Sequence, residues 1–226
     1  MELNGARVLI VGATGKVGGA LARALTGRGA ALALAGRHRE RLEGVVADCR
    51  SCPARMVDAY DLDGCHGLAA WAAERLGGID LVLTAVGVAA FGPAQEVTEA
   101  MAEHLVAVNA LAPMAVLRGA LDLLGPGGAA AAITGVVAAR PQPGMADYGA
   151  AKAALSAWLA AVAREQRRRH VDIHDLRLPH LDTGFADRAL TGRPPALPRP
   201  VALGTAVDAV IDVIETGRPL PPEWAR

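Results

Sequence analysis

Tyr148 and Lys152 stand four residues apart in the run Tyr148-Gly149-Ala150-Ala151-Lys152. On a helix that spacing puts both side chains on one face, with about 5–6 Å between Cβ atoms. A nearby ammonium favours the phenolate, so the phenol yields its proton more readily than its free pKa near 10 implies. Such a pair suits a general acid that protonates a carbonyl oxygen, or a base that takes a proton from an alcohol. The same spacing also decorates many ordinary helix surfaces. The chemistry therefore requires a nucleotide-binding unit upstream to position the pair.

That unit is legible at the start of the chain. Arg7-Val8-Leu9-Ile10-Val11 is a short apolar, partly β-branched run, the pattern of a strand buried on both faces. It leads directly into Gly12-Ala13-Thr14-Gly15-Lys16-Val17-Gly18-Gly19 and then a helix-forming run from Ala20 to Leu25. In a strand–turn–helix context the glycines let backbone approach a pyrophosphate, which the free N–H groups at the helix start bind. Residues 30–35 read as a second strand, followed by Gly36-Arg37-His38-Arg39. Sites selective for NAD carry an acidic residue at that strand end; here Gly36 stands there, and Arg37 can pair with a 2′-phosphate. NADP(H) is therefore expected over NAD(H), with Arg39 and Arg41 as solvated side chains.

Further strands are expected over residues 55–58, 79–84, 129–134 and 171–178. Helices are expected over 68–76, over 101–124 with an interruption at Pro113, from the Tyr148 region to about Arg169, and over 203–215. Strands alternating with helices imply an α/β fold: one Rossmann-type, doubly wound parallel sheet of about six to seven strands with helices on both faces. The 226 residues are read as a single domain, 1–226. Residues 183–200 are expected to form a short lobe over the substrate, restricted to extended or turn-like backbone by Pro194, Pro195, Pro198 and Pro200.

Composition narrows the function classes. Apolar residues make up 52% of the chain but aromatics only 3%, so the core must be aliphatic. A formal net charge of zero argues against a nucleic-acid or anionic-membrane partner. The apolar runs read as too short to span a bilayer, and the N-terminus lacks a secretory pattern, so a cytoplasmic protein is expected. Cys49, Cys52 and Cys65 do not make a disulfide framework. With His66 they could spell a zinc site, but three separate thiols are the simpler reading and no metal is expected.

Over roughly residues 3–216 the chain resembles the short-chain dehydrogenase/reductase family. The glycine turn, Asp61, Asn109, the Tyr148/Lys152 pair, and Pro179 with Thr183 follow that family's order and approximate spacing. The resemblance implies a catalytic acid/base at Tyr148, with Lys152 holding the nicotinamide ribose and lowering the tyrosine pKa. It implies that Asn109 kinks its helix and supports a proton-relay water. Cofactor contacts are implied at Gly12, Thr14, Gly15, Lys16, Val17, Gly18, Arg37, Asp61, Leu62, Ala85, Gly87, Tyr148, Lys152, Pro179 and Thr183. Asp61 would meet the adenine and Thr183 the carboxamide.

Four departures accompany the resemblance. The glycine turn has the spacing of the family's extended and atypical members. The segment after the fourth strand, Thr84-Ala85-Val86-Gly87, lacks the backbone-fixing asparagines usual there, and the usual Pro-Gly pair is Pro179-His180. Where members of the family carry a substrate-binding serine ahead of the tyrosine, this chain has Gly135, with Thr134 one residue earlier. Adjacent strand residues face opposite ways, so Thr134 serves only if the strand has ended or the Gly135 turn shifts the register. Losing one such donor costs about 10²–10³ in rate. Gly135 and His180 are the candidate substrate contacts.

The resulting expectation is an NADP(H)-dependent oxidoreductase acting on a small carbonyl or alcohol, in other words a ketoreductase. Elimination, isomerisation or enone reduction on the same scaffold is the alternative the missing serine raises, and a non-catalytic NADP-binding regulator is the second. The seventh strand that builds a common tetramer contact is absent or reduced to a proline-rich tail after residue 217. A homodimer through the helices of Asn109 and Tyr148 is expected instead.

Overall fold

The computed structural model describes residues 1–50 and 52–225. Its elements in chain order are β1 (Arg7–Val11), α1 (Lys16–Gly27), β2 (Ala31–Gly36), α2 (Arg39–Asp48), β3 (Ala54–Met56), α3 (Leu62–His66), α4 (Leu68–Leu76), β4 (Leu81–Thr84), α5 (Glu99–Val106), α6 (Ala112–Ala120), β5 (Ala129–Ile133), α7 (Ala146–Gln166), β6 (Asp172–Leu176) and α8 (Leu203–Thr216). All strand pairings are parallel, in the order β3-β2-β1-β4-β5-β6. The order reverses between β1 and β4, the switch point at which doubly wound sheets bind ligands.

Alternation along each strand divides the core into two layers. Val8, Ile10, Leu32, Leu34, Leu81 and Leu83 pack with Leu21, Leu25, Leu42, Val210 and Ile214 of α1, α2 and α8. Leu9, Val11, Val82, Ala130 and Ala132 pack with Leu68, Val116, Leu117, Leu155 and Leu159 of α4, α6 and α7. Strand β5 reads Ala129-Ala130-Ala131-Ala132-Ile133, with no β-branched residue until its end. Burial between two helix layers, not intrinsic preference, makes it a strand.

Two expectations change here. The interruption expected at Pro113 lies one turn earlier: residues Ala107–Leu111 form a wide π turn joining α5 to α6. Pro113 has no N–H to give the carbonyl one turn behind it, that of Asn109, so the helix opens there. The continuous run Glu99–Ala120 is also long and apolar enough by composition to cross a membrane, contrary to the reading that no run was. Within this fold 56% of its apolar window is buried, as a core helix requires.

Among the described residues no seventh strand follows α8. The chain turns at Gly217, and Leu220 and Trp224 pack against the α1/α8 layer. Strand β6 is therefore a sheet edge. The three cysteines fall in opposite layers, Cys49 and Cys52 with α1 and α2 but Cys65 with α4 and α6. The sheet separates them, which rules out a shared ion.

Candidate active site

A groove of about 2040 Å³ runs across the ends of β1, β2, β4 and β5. Gly12 lies at its floor at φ 91°, where an added Cβ would sit 2.6 Å from the Ala85 carbonyl oxygen. Gly18 does not line the groove; it is buried, and an added Cβ there would strike the Gly12 carbonyl. The turn is thus built for close backbone approach, Gly12 to the Ala85 backbone after β4 and Gly18 to the turn beneath it. Helix α1 begins with no side-chain cap and no acidic residue in its first turn. Its free N–H groups and positive dipole end suit an anion.

Thr14, Gly15, Lys16 and Val17 line the groove beside Arg37, as expected, and His38 and Arg41 join them. Arg37 donates from Nε to His38 Nε2 at 3.1 Å. Arg41, in the first turn of α2, is exposed, in keeping with its reading as a solvated side chain, and also lines the groove. Thr14 approaches Gly36 so closely that a Cβ there would lie 2.5 Å from Thr14 Cγ2, which leaves no room for an acidic side chain at that strand end.

The acidic residue at the next strand end is Asp58 rather than Asp61. Asp58 lines the groove with Ala59 and Tyr60, whereas Asp61 and Leu62 do not. The Asp61 carboxylate accepts the Gly64 N–H at 2.8 Å and caps α3. A carboxylate three residues before an unpaired helix amide is a cap signal that the sequence displays openly.

Lys152 and Tyr148 lie side by side on α7 at the floor of the groove, 3% and 9% exposed. The Lys152 ammonium donates to the carbonyls of Ile133 at 3.0 Å and Val86 at 3.3 Å, tying α7 to the ends of β5 and β4. Burial lowers its pKa to about 8, against the opposing pull of the Asp175 carboxylate. Burial pushes the Tyr148 phenol up, and its ring sits 6.3 Å from that of Phe185. The expected lowering of the tyrosine by its lysine is therefore reversed in the free chain. Desolvation outweighs an ammonium that is bound to two carbonyls.

Asn109 is fully buried and clasps one residue from both sides: its Oδ1 accepts the Val88 N–H at 3.1 Å and its Nδ2 donates to the Val88 carbonyl at 3.0 Å. A third bond from Nδ2 reaches Leu105 O at 3.0 Å across the π turn. These bonds hold the loop after β4, which lacks the usual asparagines. Ala85, Val86, Gly87 and Val88 accordingly line the groove.

Strand β5 ends at Ile133, so the condition under which Thr134 could serve is met. Its hydroxyl nevertheless donates to Asp175 of β6, and that carboxylate also accepts Ser156 Oγ at 2.6 Å and Arg177 Nε at 2.7 Å. Gly135 lines the groove beside Val136 and Val137.

The lobe over residues 183–200 leaves and returns at one point, where Leu181 bridges Val201 and Val201 N–H donates to His180 O at 2.8 Å. It is stitched to the loop after β4 by Leu190 N–H to Ala89 O at 2.7 Å and Phe91 N–H to Thr191 O at 3.0 Å. Pro179, His180 and Thr183 line the groove. His180 Nδ1 lies 3.0 Å from the Pro198 carbonyl, which holds the lobe down. Phe91, Val137, Met145 and Phe185 form the apolar cluster around Tyr148. They are scattered in sequence, and no local pattern marks them.

A switch-point groove, an open helix start and a buried Tyr/Lys pair define a dinucleotide-dependent oxidoreductase fold. The sequence matches the short chain dehydrogenase family over residues 6–193, and the chain belongs to that family. Nodulation protein G of a Rhizobium species is 27% identical over 201 residues, covering 85% of this chain and 78% of that protein. An alcohol dehydrogenase from the archaeon Thermococcus sibiricus, solved with 5-hydroxy-NADP, superposes with a TM-score of 0.81 at 26% identity, covering 93% and 91% of the two chains. A short chain dehydrogenase from Burkholderia cenocepacia, solved with NADP, gives 0.83 at 24% identity, covering 95% and 92%.

Proposed function

We propose that the protein is an NADP(H)-dependent reductase of small carbonyl compounds, with Tyr148 as proton donor. The observation that carries this reading is the Tyr148/Lys152 pair buried at the groove floor, beneath Phe185 and beside the loop that Asn109 holds. When bound, the nicotinamide dinucleotide supplies the hydride for the carbonyl carbon. The start of α1 and Lys16 hold the pyrophosphate, Arg37 and Arg41 hold the 2′-phosphate, and Asp58 meets the adenine. Lys152 holds the nicotinamide ribose from the position its two carbonyl bonds give it, and Thr183 meets the carboxamide.

A phenol raised by burial stays protonated, and a protonated phenol gives a proton to a carbonyl oxygen. The same side chain, as phenolate, would take the proton in the reverse alcohol oxidation. The wall of Phe91, Val137, Met145 and Phe185 excludes water and suits an apolar substrate. The glycine at position 135 supports a second reading, enone reduction, elimination or isomerisation, in which a carbonyl is polarised without a serine. Two copies pair through α5–α6 and α7, where Val106 and Leu111 are 39% and 43% exposed and Ala146, Ala150, Ala154, Ala157 and Ala161 form a solvent-facing row.

The test is a titration with NADPH and NADH followed by nicotinamide fluorescence, then turnover of apolar aldehydes and ketones. Tighter NADPH binding with carbonyl-dependent NADPH oxidation supports the reading. Binding of neither nucleotide overturns it. Light scattering that gives a tetramer overturns the dimer.

A further inference from the structure

Gly135 is not a gap in the site. Its neighbours commit their amides to the end of β6 and the segment just after it: Thr134 N–H donates to Leu176 O at 3.1 Å and Val136 N–H to Leu178 O at 3.0 Å. Along extended backbone, successive N–H groups aim at opposite sides. The intervening Gly135 amide therefore turns from β6 toward the side on which Ile133 O holds the Lys152 ammonium. Among the described residues it meets no backbone acceptor, and the residue is partly exposed to the groove.

Its backbone is at φ 96° and ψ 157°, a region open essentially to glycine alone. Crowding does not demand the glycine, because an added Cβ would find its nearest atoms at 3.6 Å (Leu178 O) and 3.9 Å (Val137 Cγ1). The missing side chain thus serves the backbone conformation. The one neighbouring hydroxyl, on Thr134, is held by Asp175.

We propose that the main-chain N–H of Gly135 is the donor that holds the substrate's carbonyl oxygen, replacing the serine hydroxyl. The proposal rests on the carbonyl-reductase reading. In the step, the carbonyl carbon accepts the hydride supplied by the cofactor, which is thereby oxidised, and the C=O π pair moves to oxygen. Tyr148 delivers its proton to that oxygen, giving the alcohol, and the resulting phenolate regains a proton from water. The Gly135 N–H bond is never broken; it stabilises the growing negative charge.

The test removes that donor without adding a side chain. Glycolic acid is installed at position 135 in place of glycine by nonsense suppression, converting the amide to an ester while keeping the backbone free at φ 96°. With NADPH and 4-nitrobenzaldehyde, kcat is expected to fall about 10²–10³-fold with NADPH affinity within about twofold of wild type. A second readout uses no turnover: with NADP+ and 4-(dimethylamino)benzaldehyde, the carbonyl stretch rises in frequency in the ester protein. An ester protein with wild-type kcat and an unshifted stretch overturns the Gly135 role and leaves the reductase reading standing. A wild type that binds NADPH but reduces no carbonyl, with no shifted carbonyl stretch, overturns both. Gly135→Ala, which keeps the N–H but disfavours its conformation, should lower kcat in the same direction, and the ester decides if that variant does not fold.

Discussion

Thr134 gives its hydroxyl to Asp175, one strand away, and not to the groove in front of it. Asp175 is half-buried and accepts from Thr134, Ser156 and Arg177 together. Thr134→Val is therefore expected to leave kcat within a few-fold of wild type. It should destabilise the fold by about 1–3 kcal/mol, the range for a buried acceptor losing a partner. Paired kinetic and denaturant-unfolding measurements check this, and a hundredfold loss of kcat with unchanged stability would make Thr134 the substrate's donor.

Tyr148→Phe removes the proposed proton donor and little else, since the ring stays against Phe185. NADPH affinity should change by less than about twofold, while carbonyl reduction falls by about 10²–10⁴. Binding by fluorescence titration and turnover by NADPH absorbance separate the two. Undiminished turnover would remove the tyrosine from the mechanism.

Lys152 carries a buried charge whose pKa falls from 10.5 to about 8 on folding. Between those values the unfolded chain binds more protons than the folded one, so stability rises with pH across that window and the penalty is fully present below it. At neutral pH the shift amounts to roughly 3 kcal/mol. Lys152→Met should therefore raise the melting temperature and flatten the rise in stability from pH 8 to 10 while abolishing activity. In the wild type, activity that depends on the ammonium should decline above about pH 8. A melting temperature lowered by the substitution would contradict this account.

Asp58 and Asp61 should separate cleanly. Asp61→Ala loses the α3 cap, at a cost of about 1 kcal/mol, and leaves nucleotide binding alone. Asp58→Ala should weaken NADPH and NADH together, because the adenine is common to both. Isothermal titration and thermal melts on the two variants settle which carboxylate belongs to the site.

Arg37 and Arg41 bear on the nucleotide choice. Arg37→Ala should weaken NADPH by about tenfold or more, from the loss of a charge-assisted contact worth about 1.5–3 kcal/mol. NADH should be nearly unaffected, and Arg37→Ala with Arg41→Ala should abolish the preference. Equal losses for both nucleotides would place these arginines elsewhere than at a 2′-phosphate.

The local signals of this chain were strong wherever chemistry and covalent structure act over a few residues. The β1 run, the glycine turn, α1, α4, α8 and the Tyr148/Lys152 spacing were all legible, because periodicity of two or near four and the absence of a Cβ are properties of the sequence itself. Asp61 misled because two acidic residues three apart both suit a strand end, although its place three residues before Gly64, whose amide it accepts, already spelled a helix cap. The wall around Tyr148 was invisible, since Phe91, Val137, Met145 and Phe185 meet only when the lobe folds back.

What the sequence determined alone is the class of fold and the identity of the candidate pair, Tyr148 and Lys152. Tertiary structure decided how that pair is tuned and which donors accompany it. Desolvation and partner choice depend on atoms brought in from distant strands. Burial raised Tyr148 and lowered Lys152, where spacing alone pointed to a lowered phenol. Asp175, 41 residues beyond Thr134, took the hydroxyl that adjacency to Gly135 had offered to the substrate.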